Sequence, residues 1–185
     1  FPCKLLIATS NWLKMNHSAT ANEIIEVTQE ELSRASLQKT PQEVLAVFVQ
    51  PSYDLNPEVI KSSLCLALDD VQDPGNLGTI IRLADWFGIE HIFCSTGTAD
   101  VYNPKTVQAT MGALARVKVH YCSLPQLIES LTDIPVYGTF LNGNIIYAES
   151  LSAHGLIVMG NEGKGVSPEV EKLINNKLYI PNYPQ

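Results

Sequence analysis

Apolar positions along this chain alternate between short continuous runs and helix-spaced stripes. Residues 64–68 (LCLAL) form an uninterrupted apolar run of strand length, which suits a strand buried on both faces. Pro74 and Gly75 then break the chain, and apolar residues recur at 77, 80, 81, 84 and 87, the period of a helix with one buried stripe. Asn76 stands where an N-cap is expected, and Gly88 where a helix closes on a glycine. Residues 90–94 read as the next strand. A helix led by Asn103 and Pro104 runs to Met111, followed by a strand over 117–121, a helix over 124–131 and a strand over 136–141. A strand over 156–159, a helix capped by Ser167 with Pro168 at its first position, and a last strand over 177–180 complete the pattern. Strands alternating with helices predict an α/β fold with a mostly parallel, doubly wound sheet. In such sheets ligands sit beyond the carboxyl ends of the strands.

The first fifty residues carry a smaller version of the same alternation. Strands are expected over 4–8, 23–27 and 44–49, with a short helix from Ser10 to Met15. Thr28 with Glu31 three residues on is a capping box for a second helix. Residues 44–49 are almost all apolar, β-branched or aromatic, which predicts a central strand. These elements are too few for an enzyme site and suit a small accessory domain over 1–50. Two prolines with Ser, Asn and Asp mark 51–63 as a linker, leaving 64–185 as the main domain.

Composition narrows the class. A 45% hydrophobic share over 185 residues supplies a core, and no run is long enough to span a bilayer as a helix. Residues 1–8 lack the architecture of a signal peptide. Cys3, Cys65, Cys94 and Cys122 are scattered with no C-x-x-C pair, so neither zinc nor a disulfide scaffold is expected, and reduced thiols in a cytoplasmic protein are the simpler reading. His17, His91, His120 and His154 show no metal spacing and receive no role. The net charge of −7 is the wrong sign for broad phosphate binding, and after residue 64 only 7 Lys/Arg face 12 Asp/Glu. Nucleic-acid binding would require a local basic patch, for which Arg82, Lys105, Arg116, Lys118 and Lys164 are candidates, a partner subunit, or further segments.

Two stretches carry candidate chemistry. Asn76 to Arg82 has the form Asn-x-Gly-Thr-x-x-Arg. Read structurally, Asn76 is a cap and Arg82 pairs with Asp85 at i+3; read functionally, the helix aims Arg82 toward the loop at the strand end. Gly75 and Gly78 make G-x-x-G, neither the dinucleotide fingerprint nor a Walker loop. Gly160-Asn161-Glu162-Gly163-Lys164-Gly165 follows the 156–159 strand, and its glycines allow close backbone approach or positive φ. Asn142-Gly143, at the end of the 136–141 strand, is a common turn pair.

Asn76 to Arg82, Gly160 to Gly165 and Ile180-Pro181, in this order and separation, resemble the first, second and opening third motifs of the SpoU/TrmH family of RNA methyltransferases. That family lies in the SPOUT superfamily and methylates ribose 2′-hydroxyls with S-adenosylmethionine. The resemblance runs from about residue 64 to the end. It implies a C-terminal trefoil knot, against a very low base rate for knots, and a small substrate-binding domain of the L30e-like kind ahead of the catalytic one. It implies Asn76, Arg82 and Glu162 as catalytic residues. Arg82 would either activate the hydroxyl or bind a phosphate and the forming alkoxide, since a guanidinium stays protonated. The donor site would comprise Thr139, Phe140, Leu141, Gly143, Gly160, Asn161, Gly163 and Ile180, with no metal. A homodimer is implied, acting on RNA, with ribosomal RNA preferred over tRNA and no membrane partner. A non-catalytic RNA-binding relative and a methyltransferase acting on something other than RNA are the alternatives. The family continues past Ile180-Pro181 into further motif residues and a final helix, so both ends of a longer protein are expected beyond this sequence.

Overall fold

The computed structural model describes residues 1–182. The chain divides into two compact units, Phe1–Ser52 and the remainder from Tyr53 onward.

In the first unit, β1 (Cys3–Ala8) leads through Thr9, which caps α1 (Ser10–Met15), to β2 (Glu23–Glu26). The capping box forms as its spacing predicts. The Thr28 backbone N–H donates to Glu31 Oε2 at 2.8 Å, and the Glu31 N–H to Thr28 Oγ1 at 3.3 Å, opening α2 (Gln29–Ala35). β3 (Val44–Phe48) is an edge strand, against the expectation that it is central. The order is β2-β1-β3, with β1 parallel to β2 and antiparallel to β3. Apolar, β-branched composition records fit to a pleated surface and does not decide rank in the sheet. Val47 and Phe48 are exposed accordingly.

In the second unit a single 3-10 turn, Pro57–Lys61, precedes the sheet and buries Ile60 completely. Then come β4 (Leu64–Leu68), α3 (Pro74–Trp86), β5 (His91–Cys94), α4 (Pro104–Thr110), β6 (Lys118–Tyr121) and α5 (Leu124–Glu129). β7 (Val136–Ile145), β8 (Gly155–Met159), α6 (Pro168–Glu171) and β9 (Asn176–Tyr179) follow. The six strands are parallel throughout, in the order β6-β5-β4-β8-β7-β9. β4 feeds two cores by alternation. Cys65 and Ala67 join Phe93, Leu124 and Ile60 on one face, and Leu66 and Leu68 join Leu77, Ile81 and Leu114 on the other. That two-sided burial is why its sequence is an unbroken apolar run.

α3 begins one turn earlier than its apolar stripe suggests. Asp73, not Asn76, is the N-cap, and its Oδ1 accepts the Asn76 backbone N–H at 2.9 Å. Pro74 suits the first helical position because the amide it lacks has no partner there. The Asn76 side chain is thereby released for other work. Gly88 closes the helix at φ +71, as expected. β7 runs longer than predicted, through the Asn142-Gly143 pair. Thr139 and Asn144 both lie opposite Leu178 of β9, so residues 140–143 bulge from the strand and pairing then resumes. A Cβ at 143 would stand 2.4 Å from the Leu178 carbonyl carbon, so only glycine lets the bulge close against β9.

Candidate functional site

The carboxyl end of β4 is tied to its neighbours by two adjacent aspartates. Asp69 is buried; its backbone N–H donates to the Met159 carbonyl at 2.8 Å, and its Oδ2 accepts the Ser167 N–H at 2.7 Å. Ser167 thus stands at the N-cap of α6 without capping it through its side chain. Asp70 adopts φ +61, a conformation aspartate tolerates better than most residues. Its N–H donates to Ser95 Oγ at 2.9 Å and its carbonyl accepts Asn161 Nδ2 at 2.8 Å. The loops after β4, β5 and β8 therefore meet at Asp69-Asp70. Sequence reasoning missed both residues, although two carboxylates closing an apolar strand were the available signal.

The loop after β8 is a tight hairpin. Asn161 and Gly165 exchange both backbone hydrogen bonds at 2.9 Å, and Asn161 Oδ1 accepts the N–H groups of Gly163 at 2.9 Å and Lys164 at 3.0 Å. With Nδ2 on Asp70, the Asn161 side chain is fully committed to shaping the loop. A Cβ on Gly160 would lie 2.2 Å from the Gly165 carbonyl carbon, so glycine is required there. Glu162 sits exposed at the tip, and its Oε1 accepts Asn76 Nδ2 at 3.0 Å. That bond, with the N–H groups of Glu162 itself and Gln72, holds its carboxyl below the usual range.

A cleft of about 200 Å³ opens between Asn76, Thr79 and Ile80 of α3 and Met159, Gly160 and Glu162 at the end of β8. Residues three and four apart share one helix face, which is how α3 presents the first three. Two of the three proposed catalytic residues are brought together here. Arg82, one turn past Thr79 on the same helix, is not among the residues that line the cleft. Its pairing with Asp85 is overturned, because Arg116 takes both Asp85 oxygens, at 2.7 and 2.6 Å. Arg82 is exposed, with no hydrogen bond or ion pair among the described residues. Lys105, a candidate for a basic patch, instead pairs with Asp73 at 2.7 Å, and this holds the Asp73 carboxyl below its ordinary value.

The donor residues implied by resemblance fall in the bulged stretch of β7 and in the loops after β8 and β9. Those strands are neighbours, so Thr139 to Gly143, Gly160 to Gly163 and Ile180 gather along one end of the sheet. Leu141 is 93% and Ile180 54% exposed, and Phe140 carries Lys177 Nζ 4.7 Å from its ring centre. Exposed apolar side chains such as Leu141 and Ile180 beside a glycine-rich loop suit a flat base with polar edges, so these residues fit S-adenosylmethionine. Among the described residues no cluster of His, Cys, Asp and Glu could hold a metal ion. Two of the histidines given no role from the sequence, His91 and His120, meet in the fold. His91 Nδ1 and His120 Nε2 lie 3.1 Å apart with rings stacked at 3°. Sheet register placed them together, away from the cleft.

Comparison with known proteins agrees with this geometry. The chain is 33% identical over 162 residues to the 23S rRNA (guanosine(2553)-2′-O)-methyltransferase RlmP of Bacillus subtilis, covering 86% of this chain and 64% of that one. It is 29% identical to the 23S rRNA (uridine(2479)-2′-O)-methyltransferase of Streptomyces viridochromogenes, covering 77% and 53%. The chain thus spans less than two thirds of the length of these relatives. A TrmH-family protein from Porphyromonas gingivalis, solved as a candidate RNA methyltransferase, superposes over 100% of this chain and 75% of its own, with TM-score 0.89 and 41% identity. The SpoU methyltransferase AviRb of Streptomyces viridochromogenes, in complex with AdoMet, matches 99% of this chain and 75% of its own, with TM-score 0.83 and 26% identity. The model of the SpoU rRNA Methylase family matches residues 63–185, the segment that holds the parallel sheet, the glycine hairpin and the Asn76–Glu162 bridge; the chain belongs to that family.

Proposed function

We propose that this protein transfers a methyl group from S-adenosylmethionine to a ribose 2′-hydroxyl of ribosomal RNA. The observation that carries the reading is the Asn76–Glu162 bridge, which closes one end of a cleft beside the glycine hairpin. The two relatives cited above are named for 2′-O-methylation of 23S rRNA, and AviRb was solved with AdoMet.

When bound, the donor supplies an electrophilic methyl group on a sulfonium, so no metal is needed. The backbones of Gly160, Asn161 and Gly163 would hold it with Thr139, Phe140, Leu141, Gly143 and Ile180. The chain's remaining task is to align a weak nucleophile and stabilise its oxygen as its proton passes to solvent water. Arg82 is free for this. Its guanidinium stays protonated, so we assign it to bind the adjacent phosphate through two N–H groups and to stabilise the forming alkoxide. Asn76 and Glu162 fix the distance between helix and hairpin around the acceptor.

The active form we propose is a homodimer, supported by the exposed end of α3, where Trp86 is 83% and Phe87 74% accessible. The first unit is proposed as an RNA-holding domain of the L30e-like kind, supported by its position ahead of the catalytic unit and its small α/β make-up. A knot at the chain end is supported by the path from β8 through α6 to β9, which crosses β7 to reach the far edge of the sheet. Among the described residues no helix is long and apolar enough to cross a membrane. Four free cysteines support a cytoplasmic location.

The test is methyl transfer from labelled S-adenosylmethionine by the full-length protein to ribosomal RNA and tRNA from cells lacking it. Label in ribosomal RNA, lost with Arg82→Ala, is expected. Label in tRNA alone would move the substrate, and the absence of both label and donor binding would overturn the reading.

A further inference from the structure

Three hydrogen bonds run in series from α4 to the hairpin after β8. Lys105 Nζ donates to Asp73 Oδ2 at 2.7 Å, the Asn76 backbone N–H donates to Asp73 Oδ1 at 2.9 Å, and Asn76 Nδ2 donates to Glu162 Oε1 at 3.0 Å. Oδ2 of Asp73 serves the lysine and Oδ1 the first turn of α3. A capping carboxylate alone rotates freely, because its terminal torsion is broad. Anchored at one oxygen by the lysine, it presents the other in a fixed direction.

Local packing is built around this arrangement. A Cβ at 75 would stand 2.8 Å from Asp73 Oδ1 and 3.1 Å from Lys105 Cε, so the lysine stem lies close across the first turn of α3 at Gly75. A Cβ at 78 would stand 2.5 Å from the Thr106 carbonyl oxygen and 2.6 Å from Ala109 Cβ, so α3 and α4 touch through backbone. The lysine therefore starts from a fixed base, and Asn103 caps α4 by accepting the Lys105 N–H at 2.9 Å. On the far side of the bridge, Asn161 anchors the Glu162 hairpin independently to the Asp70 carbonyl. The Lys105–Asp73 pair is too exposed, at 61% and 44%, to matter much for stability. Its effect is on direction.

We propose that Lys105 is a positioning residue for methyl transfer, acting through Asp73 to hold Asn76 in register with Glu162 without touching the reacting groups. The inference rests on the methyltransferase reading above. Losing the lysine removes one of the two supports of the bridge, and small misalignments in such sites are costly.

The experiment compares Lys105→Met and Lys105→Arg in the full-length protein. It reads kcat, KM for RNA, donor affinity and the titration of the Glu162 carboxyl by carbon NMR. Lys105→Met is expected to lower kcat about tenfold, with KM and donor affinity within about twofold. Lys105→Arg, which can still donate to Asp73, is expected to recover most of kcat. The Glu162 midpoint is expected to rise in Lys105→Met and to stay put in Lys105→Arg. Unchanged kcat with unchanged Glu162 titration overturns the proposal. A higher KM for RNA at constant kcat, relieved at low salt, also overturns it, because that marks a phosphate contact. The titration needs no turnover. A wild-type protein that transfers no methyl group would remove the proposed function, while the titration would still decide the Lys105 link.

Discussion

Asn76 donates its side-chain amide to Glu162 at 3.0 Å, although 86 residues separate them in the chain. The bond joins the first turn of α3 to the tip of the hairpin after β8, and it exists because Asp73 relieves Asn76 of capping duty. Asn76→Ala and Glu162→Ala should each lower methyl transfer by about a hundredfold while leaving the fold intact, since both side chains are exposed. Single-turnover rates with circular dichroism would check this, and full activity in both variants would sink it.

The hairpin depends on a backbone contact that no side chain can share. Gly160→Ala would place a Cβ 2.2 Å from the Gly165 carbonyl carbon and 2.3 Å from the Val166 nitrogen. The loop must shift, carrying Glu162 away from Asn76. Donor affinity measured by calorimetry should fall together with activity.

Gly78→Ala sets two effects against each other. Alanine favours a helix interior over glycine by about 1 kcal/mol. A Cβ 2.5 Å from a backbone oxygen costs about 1–3 kcal/mol in overpacking. The clash should win, giving a protein less stable by about 1 kcal/mol, read from chemical denaturation. A gain in stability would mean that α4 moves away easily.

Arg82 carries no partner among the described residues, so its replacement should leave stability within about 0.5 kcal/mol. Activity should respond differently. Arg82→Lys keeps the charge but loses the planar fork, and it should recover little of what Arg82→Ala removes. Full activity in Arg82→Lys would eliminate a bidentate role.

Burial, with its neighbours His91 and Lys118, pushes His120 down to about 4 from 6.5. The unfolded chain therefore binds a proton that the folded one refuses. Stability should be full above about 6.5 and fall as pH drops toward about 4. Tyr53 and Phe93 pack against the same ring, and Glu90 lies near its partner His91. Melting temperatures across this window, compared with His120→Gln, should show a shallower decline in the variant.

Local pattern determined a great deal of this protein. The apolar run at 64–68, the helical stripe from 77 to 84, the Thr28–Glu31 capping box and the closing glycine at 88 are each written in neighbours a few residues apart. Short-range sterics and hydrogen bonding suffice to read them. The motif residues Asn76 and Glu162 were legible as types, and the structure brings them together.

Tertiary structure decided which side chains are free and which are spent. Asp73 caps α3 through one carboxylate oxygen, and only packing brings Lys105 from another helix onto the other. Arg82 has no partner among the described residues because Arg116, from beyond α4, takes Asp85 with two hydrogen bonds. β3 lies at an edge because β1 pairs on both sides, a matter of strand order that composition does not encode. Asp69 and Asp70 become the junction of three loops only once β8 lies beside β4. Each of these outcomes is a competition among partners distant in sequence. A one-dimensional pattern names the competitors, and only packing in three dimensions sets the distances that choose between them.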